Sequence, residues 1–119
     1  MFLILEGKNR MENNKLLKIE NLKMHIKTYM GTVKAVDGVN IDINRGEIVG
    51  IVGESGSGKS LTSRTILKLL PEGGEVVSGK ILFHNKDLLK LNDNELRNIR
   101  GSKISFIFSL KRYLSFGLI

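Results

Sequence analysis

The segment Gly53-Glu54-Ser55-Gly56-Ser57-Gly58-Lys59-Ser60 constrains this chain more than any other feature. It fits the spacing G-x-x-x-x-G-K-[ST]. Its glycines let the backbone curl until successive N–H groups point inward and form a nest for an anion. Context matters as much as spacing. An unbroken apolar run, Ile48-Val49-Gly50-Ile51-Val52, precedes the segment, and a helical stretch over 59–70 follows it, with Leu61, Ile66, Leu67 and Leu70 available for burial. A run of that kind reads as a strand buried on both faces of a parallel sheet. The helix that follows brings unpaired N–H groups and about half a unit of positive charge to its N-terminus, where a polyphosphate is favoured. Residues Gly53 to Leu61 are therefore the expected phosphate cradle. Lys59 would reach the β- and γ-phosphates, and the Ser60 hydroxyl would take one position on Mg²⁺. A flexible glycine-serine linker would not set Lys-Ser at the mouth of an amphipathic helix.

The flanking segments alternate between strand and turn signals. Apolar residues at 17 and 19 and then at 22, 24 and 26 predict a strand with one slip, as a bulge produces. A turn at Met30-Gly31 precedes a second strand that carries Val39, Ile41 and Ile43 on one face, and Asn44-Arg45-Gly46 is again turn chemistry. Pro71 and Gly73-Gly74 stop the helix. Lys80 to Phe83 predicts a further strand, Asp93 to Arg100 a short helix opened by Asn92 or Asp93, and Ile104 to Phe108 a last strand. On that helix Arg97 and Arg100 are expected to pair with Asp93 or Glu95. His25 and His84 have no partner pattern and read as structural or surface residues.

With 119 residues, the chain has room for one domain at most. It has no cysteine, which excludes a disulfide scaffold and any cysteine-based zinc or redox site. No apolar run approaches the roughly 20 residues of a membrane helix. Phe2-Leu3-Ile4-Leu5 falls short of the about 7–15 residues of a signal-peptide core. The net charge of +7 invites a nucleic-acid reading, but the 19 basic residues are scattered among 12 acidic ones and only seven aromatics accompany them. No nucleic-acid partner is expected. A solvated, lysine-rich surface and a soluble, cytoplasmic protein are.

Together with the phosphate cradle, the runs Val36-Asp37-Gly38-Val39 and Arg45-Gly46-Glu47 resemble an ABC transporter ATPase. The form Gly-Glu-Ser-Gly-Ser-Gly-Lys-Ser is similar to the oligopeptide and dipeptide (and nickel) import subfamily. Ser78-Gly79-Lys80-Ile81-Leu82-Phe83, Asp87-Leu88, Leu96-Arg97 and Ile99-Arg100-Gly101-Ser102-Lys103-Ile104 continue the likeness. It covers about residues 17–108, leaving 1–16 as an expected disordered tail and 109–119 as a tail unlike the family. The resemblance implies an α/β P-loop NTPase fold of ABC type: an N-terminal antiparallel β subdomain and the start of the parallel core sheet, truncated. It implies ATP and Mg²⁺ as ligands, with Tyr29 as the aromatic that stacks on adenine. A second ATPase subunit and membrane permease subunits are the implied partners, at the inner face of the cell membrane. The implied function couples ATP binding and hydrolysis to peptide import, with nickel uptake as the alternative substrate class.

The resemblance also implies elements that these residues do not supply. Where the family places a glutamine after the strand at 104–108, this chain has Ser109, whose hydroxyl reaches less far. No Leu-Ser-Gly-Gly-Gln signature, no acid-terminated Walker B strand and no switch histidine follow the cradle. Phe2-Leu3-Ile4-Leu5-Glu6 imitates a Walker B strand but precedes the cradle in chain order, so it is read as tail. The expectation is a chain without catalytic residues of its own, inactive alone. The competing expectation is a non-functional fragment from a frameshift or premature stop, with Met11 as the natural start.

Overall fold

A computed structural model describes residues 2–4, 14–53 and 58–107. Its centre is a four-stranded antiparallel sheet made from Lys15–Thr28, Gly31–Asn44, Gly74–Phe83 and Lys86–Asp87. Numbering Phe2–Ile4 as β1 and Ile48–Gly50 as β4, these four are β2, β3, β5 and β6, in the spatial order β3-β2-β5-β6. Two helices, α1 (Lys59–Ile66) and α2 (Asp93–Ile99), complete the described elements, with a short 3₁₀ turn at Leu88–Lys90.

Alternation along β2 is what builds the core. Leu17, Ile19, Leu22 and Met24 are all buried, joined by Val36 and Ile43 from β3 and by Ile81 and Phe83 from β5. Ile66, Leu67, Leu88, Leu91, Leu96 and Ile104 belong to the same buried cluster. The slip expected between residues 19 and 22 is a bulge. Ile19 faces Ile81 and Glu20 faces Lys80, but the next pair is Lys23 with Ser78, so Asn21 and Leu22 together oppose Gly79. Asn21 sits at φ +44° to make the step. The bulge keeps Leu22 and Met24 on the face already occupied by Leu17 and Ile19.

Several elements depart from the expectations. β2 begins at Lys15, and Leu16 is buried, so the organised chain starts ahead of Leu17. Phe2–Ile4, expected as tail, pairs antiparallel with β4 in the register Phe2 to Gly50 and Ile4 to Ile48. The run 48–52 is accordingly not a strand buried on both faces. Ile48 is 70% exposed and Val52 97%. All pairings between the described strands are antiparallel, because no neighbour lies alongside β4 in the parallel sense. The expected strand at 104–108 is reduced to a single parallel bridge from Ile104 to Arg100, and Phe108 lies outside the described residues.

The helix expected over 59–70 ends at Ile66. Lys68 adopts φ +53°, and the carbonyl of Arg64 accepts from the N–H groups of both Leu67 and Leu69, so the chain turns out of the helix before Pro71. α2 is capped by Asn92, whose side chain accepts from the N–H of Glu95 while the Glu95 carboxylate accepts from the N–H of Asn92. The Glu95 carboxylate is thereby committed to the cap, and Arg100 makes no ion pair on its own helix. Its Nε and Nη2 instead donate to the carbonyl of Leu67 at 3.0 and 2.6 Å, tying the end of α2 to the end of α1. Charged hydrogen bonds contribute about 1.5–3 kcal/mol. Allowing for partial exposure, Arg100→Met should lower unfolding stability by about 1–2 kcal/mol. Urea denaturation checks this, and a change under 0.3 kcal/mol would refute the tie.

Two turns meet beside the start of β2. His84 (φ +49°) and Asn85 (φ +62°) form the turn between β5 and β6, a two-residue arrangement in which both residues are left-handed. His84 packs edge-on against Phe83 at 4.4 Å, and its Nδ1 accepts from Arg45 Nη2 at 3.1 Å. Arg45 also donates its backbone N–H to the carbonyl of Asn14. Partial burial first, then the charges of Arg45 and Lys103, hold the imidazole below its ordinary 6.5. The unfolded chain therefore takes up this proton first as pH falls. Stability is complete above about 6.5 and declines as pH drops toward the folded value. His84→Asn, which suits a left-handed position, should flatten that component of the stability profile between pH 7.5 and 5. An unchanged slope in the urea midpoints would count against it.

Candidate functional site

The sharpest local constraint falls where the glycine-rich loop enters α1. Gly58 is the N-cap at φ +90°, and a Cβ there would lie 2.5 Å from the carbonyl oxygen of Ala35 on β3. Only glycine satisfies both conditions, the left-handed backbone and the close approach of a neighbouring strand. From this point the helix begins, with the N–H and hydroxyl of Thr62 both donating to the Gly58 carbonyl at 2.8 Å. The remaining hydroxyls turn inward as well, Ser63 to Lys59 O and Thr65 to Leu61 O. That allows Thr62, Ser63 and Thr65 to be buried against the sheet without stranded polar atoms.

The N-terminus of α1 has no side-chain cap and no acidic residue in its first turn. The positive end of its dipole at this turn favours an anion. Lys59 reaches back along the chain, its ammonium donating to the carbonyl of Gly53 at 2.7 Å. This bond ties the start of α1 to Gly53. Ser60 is exposed on the first turn, where its hydroxyl is accessible to solvent.

Beside this helix start lies a cleft of about 370 Å³. Gly58, Lys59, Ser60 and Leu61 form one wall, and Ile26, Val33, Lys34 and Ala35 of the β2–β3 hairpin form the other. The donor set fits a triphosphate: an uncapped helix start, a glycine that no side chain can replace, a primary ammonium and a hydroxyl on consecutive residues. An apolar wall opposite suits the flat face of a base.

Of the residues expected from sequence, Gly53, Gly58, Lys59, Ser60 and Leu61 are brought together here. Glu54, Ser55, Gly56, Ser57 and Ser109 lie outside the described residues. Tyr29 occupies the tip of the hairpin, 98% exposed, and is not part of the cleft wall. The hairpin wall itself was missed. Ile26 was visible only as one more residue of an alternating strand, and nothing in the pattern indicated which face the loop would approach. No group of three or more potential metal-binding side chains exists among the described residues.

Residues 36–115 match the family model described as ABC transporter. The chain belongs to that family. It is 54% identical over 95 residues to the dipeptide transport ATP-binding protein DppD of Bacillus subtilis, covering 79% of this chain and 28% of that protein. It is 48% identical over 95 residues to the oligopeptide transport ATP-binding protein OppD of the same organism, covering 79% of this chain and 26% of that one. The peptide transport system ATP-binding protein SapD of Haemophilus influenzae is 47% identical over 93 residues, covering 78% and 27%. The chain thus spans little more than a quarter of the length of these relatives.

Proposed function

We propose that this chain is the nucleotide-cradling portion of an ATP-binding subunit of a peptide importer, and that it binds Mg-ATP in the cleft between α1 and the β2–β3 hairpin. The observation that carries the reading is the start of α1: uncapped, entered through Gly58, and overhung by Lys59. In this reading the N–H groups from Gly53 to Leu61 surround the phosphates, and Lys59 exchanges its bond to Gly53 for phosphate oxygens. The Ser60 hydroxyl would hold Mg²⁺, which would neutralise phosphate charge. The adenine lies against the apolar wall of Ile26 and Val33, and Tyr29, at the hairpin tip outside that wall, stacks on its outer face; such stacking contributes about 1–3 kcal/mol.

The names of the relatives favour peptides over nickel as the transported class. A second ATPase subunit and permease subunits at the inner membrane face are the corresponding partners. No helix among the described residues is long and apolar enough to cross a membrane.

Hydrolysis needs a positioned water and charge stabilisation beyond the cradle. These 119 residues bind nucleotide without turning it over at transporter rates. Calorimetric titration of the chain with Mg-ATP tests the reading, with saturable binding and a raised melting temperature expected. A flat titration on a cooperatively melting sample overturns it, and rapid phosphate release would overturn the claim of inactivity.

A further inference from the structure

The hairpin wall of the cleft contains three successive residues, Val33, Lys34 and Ala35. A regular strand cannot present three in a row to one side, because its side chains alternate. The register explains the exception. Met24 faces Val36, but Ile26 faces Val33, so Lys34 and Ala35 together oppose the single residue His25. This is a second bulge, located at the cleft, and bulges of this kind redirect side chains beside functional sites. Ala35 is also the residue whose carbonyl abuts Gly58. Lys34 is therefore one residue from the point where β3 touches the start of α1. It is exposed, and among the described residues it forms no ion pair and no side-chain hydrogen bond. Lys15, Lys18 and Lys27, by contrast, are paired with Asp42, Glu20 and Glu75 along the same sheet.

Building on the nucleotide reading above, we propose that Lys34 is a second cationic ligand for the nucleoside triphosphate, meeting its α-phosphate from the hairpin side while Lys59 holds the phosphates farther in. A flexible ammonium on a four-carbon stem suits this role, since it can follow the ligand from an exposed strand. The apolar neighbours Ile26 and Val33 place the base just beyond it. The bulge is then the device that adds a positive charge to an otherwise apolar wall.

The test uses the 119-residue chain and three variants. Lys34→Met keeps the stem and removes the charge, and should weaken Mg-ATP binding about five- to tenfold, in line with the strength of hydrogen bonds between charged groups in solvent-exposed settings. Lys34→Arg should stay within about twofold of the parent. Competition with inorganic pyrophosphate, which fills only the inner phosphate positions, should be unchanged in Lys34→Met, whereas tripolyphosphate should weaken. Unchanged Mg-ATP affinity in Lys34→Met overturns the proposal, as does an equal loss for pyrophosphate, which would indicate a general field and not a contact. Lys59→Ala separates the two readings: if the parent chain binds no nucleotide at all, the functional assignment fails and this inference with it. If the parent binds, Lys59→Ala does not, and Lys34→Met equals the parent, only this inference fails.

Discussion

Lys59→Ala will lower Mg-ATP affinity at least about a hundredfold and leave the unliganded chain folded. The ammonium stands at the start of α1 and already bonds an oxygen there, Gly53 O at 2.7 Å. Exchanging that neutral carbonyl for two phosphate oxygens adds hydrogen bonds between charged groups, each contributing about 1.5–3 kcal/mol. Two such contacts amount to about 3–6 kcal/mol, and each 1.4 kcal/mol is about tenfold in affinity. The cost to the unliganded chain is small, about 1 kcal/mol or less, because the lost partner is a solvent-accessible loop carbonyl. Calorimetry with Mg-ATP, beside urea denaturation without it, checks both halves. A variant that binds like the parent would remove Lys59 from the site, and one that fails to fold would show a structural role instead.

The second large effect is on folding. Gly79→Ala should remove on the order of 3–5 kcal/mol, a large part of what a domain of this size has to lose. Gly79 stands at φ +107° opposite the first bulge of β2, and a Cβ there would come within 2.6 Å of Leu22 Cα, 2.7 Å of Asn21 O and 2.9 Å of Glu20 O. All three are backbone atoms of the central strand, so none can rotate aside. The bulge would have to open, and with it the placement of Leu22 and Met24 in the core. Gly101→Ala is the matched control. Its φ of +81° carries the same kind of backbone penalty, but nothing lies within 4 Å of the added carbon. Urea midpoints for the pair separate conformational strain from collision. Equal losses would mean that the contact at the bulge contributes nothing.

Whether a feature could be read from the sequence depended on how local its causes are. The slip between Ile19 and Leu22 was legible because a one-residue shift in alternation has a single structural remedy, a bulge. The capping pair Asn92 and Glu95 was half legible: the N-cap was narrowed to Asn92 or Asp93, and the reciprocal bond to Glu95 decided between them. Arg100 was misread because helical spacing suggests partners on the same helix, while its actual acceptor, Leu67 O, is 33 residues away and becomes available only where α1 stops short.

What the sequence carried by itself is the family of the chain and a spacing of residues at 53–60 from which a phosphate cradle is proposed. Glycines, lysine and serine at fixed offsets form a pattern that needs no distant partner to be recognised. Tertiary structure alone decided what stands across from the start of α1. It placed Ile48–Gly50 against Phe2–Ile4 in an antiparallel pair, left Tyr29 in solvent at the hairpin tip, and brought Ile26, Val33, Lys34 and Ala35 to the wall facing Lys59. The physical reason is that strand pairing and bulge position are settled between segments distant along the chain. A pattern of alternation fixes which residues share a face, but not what that face will meet.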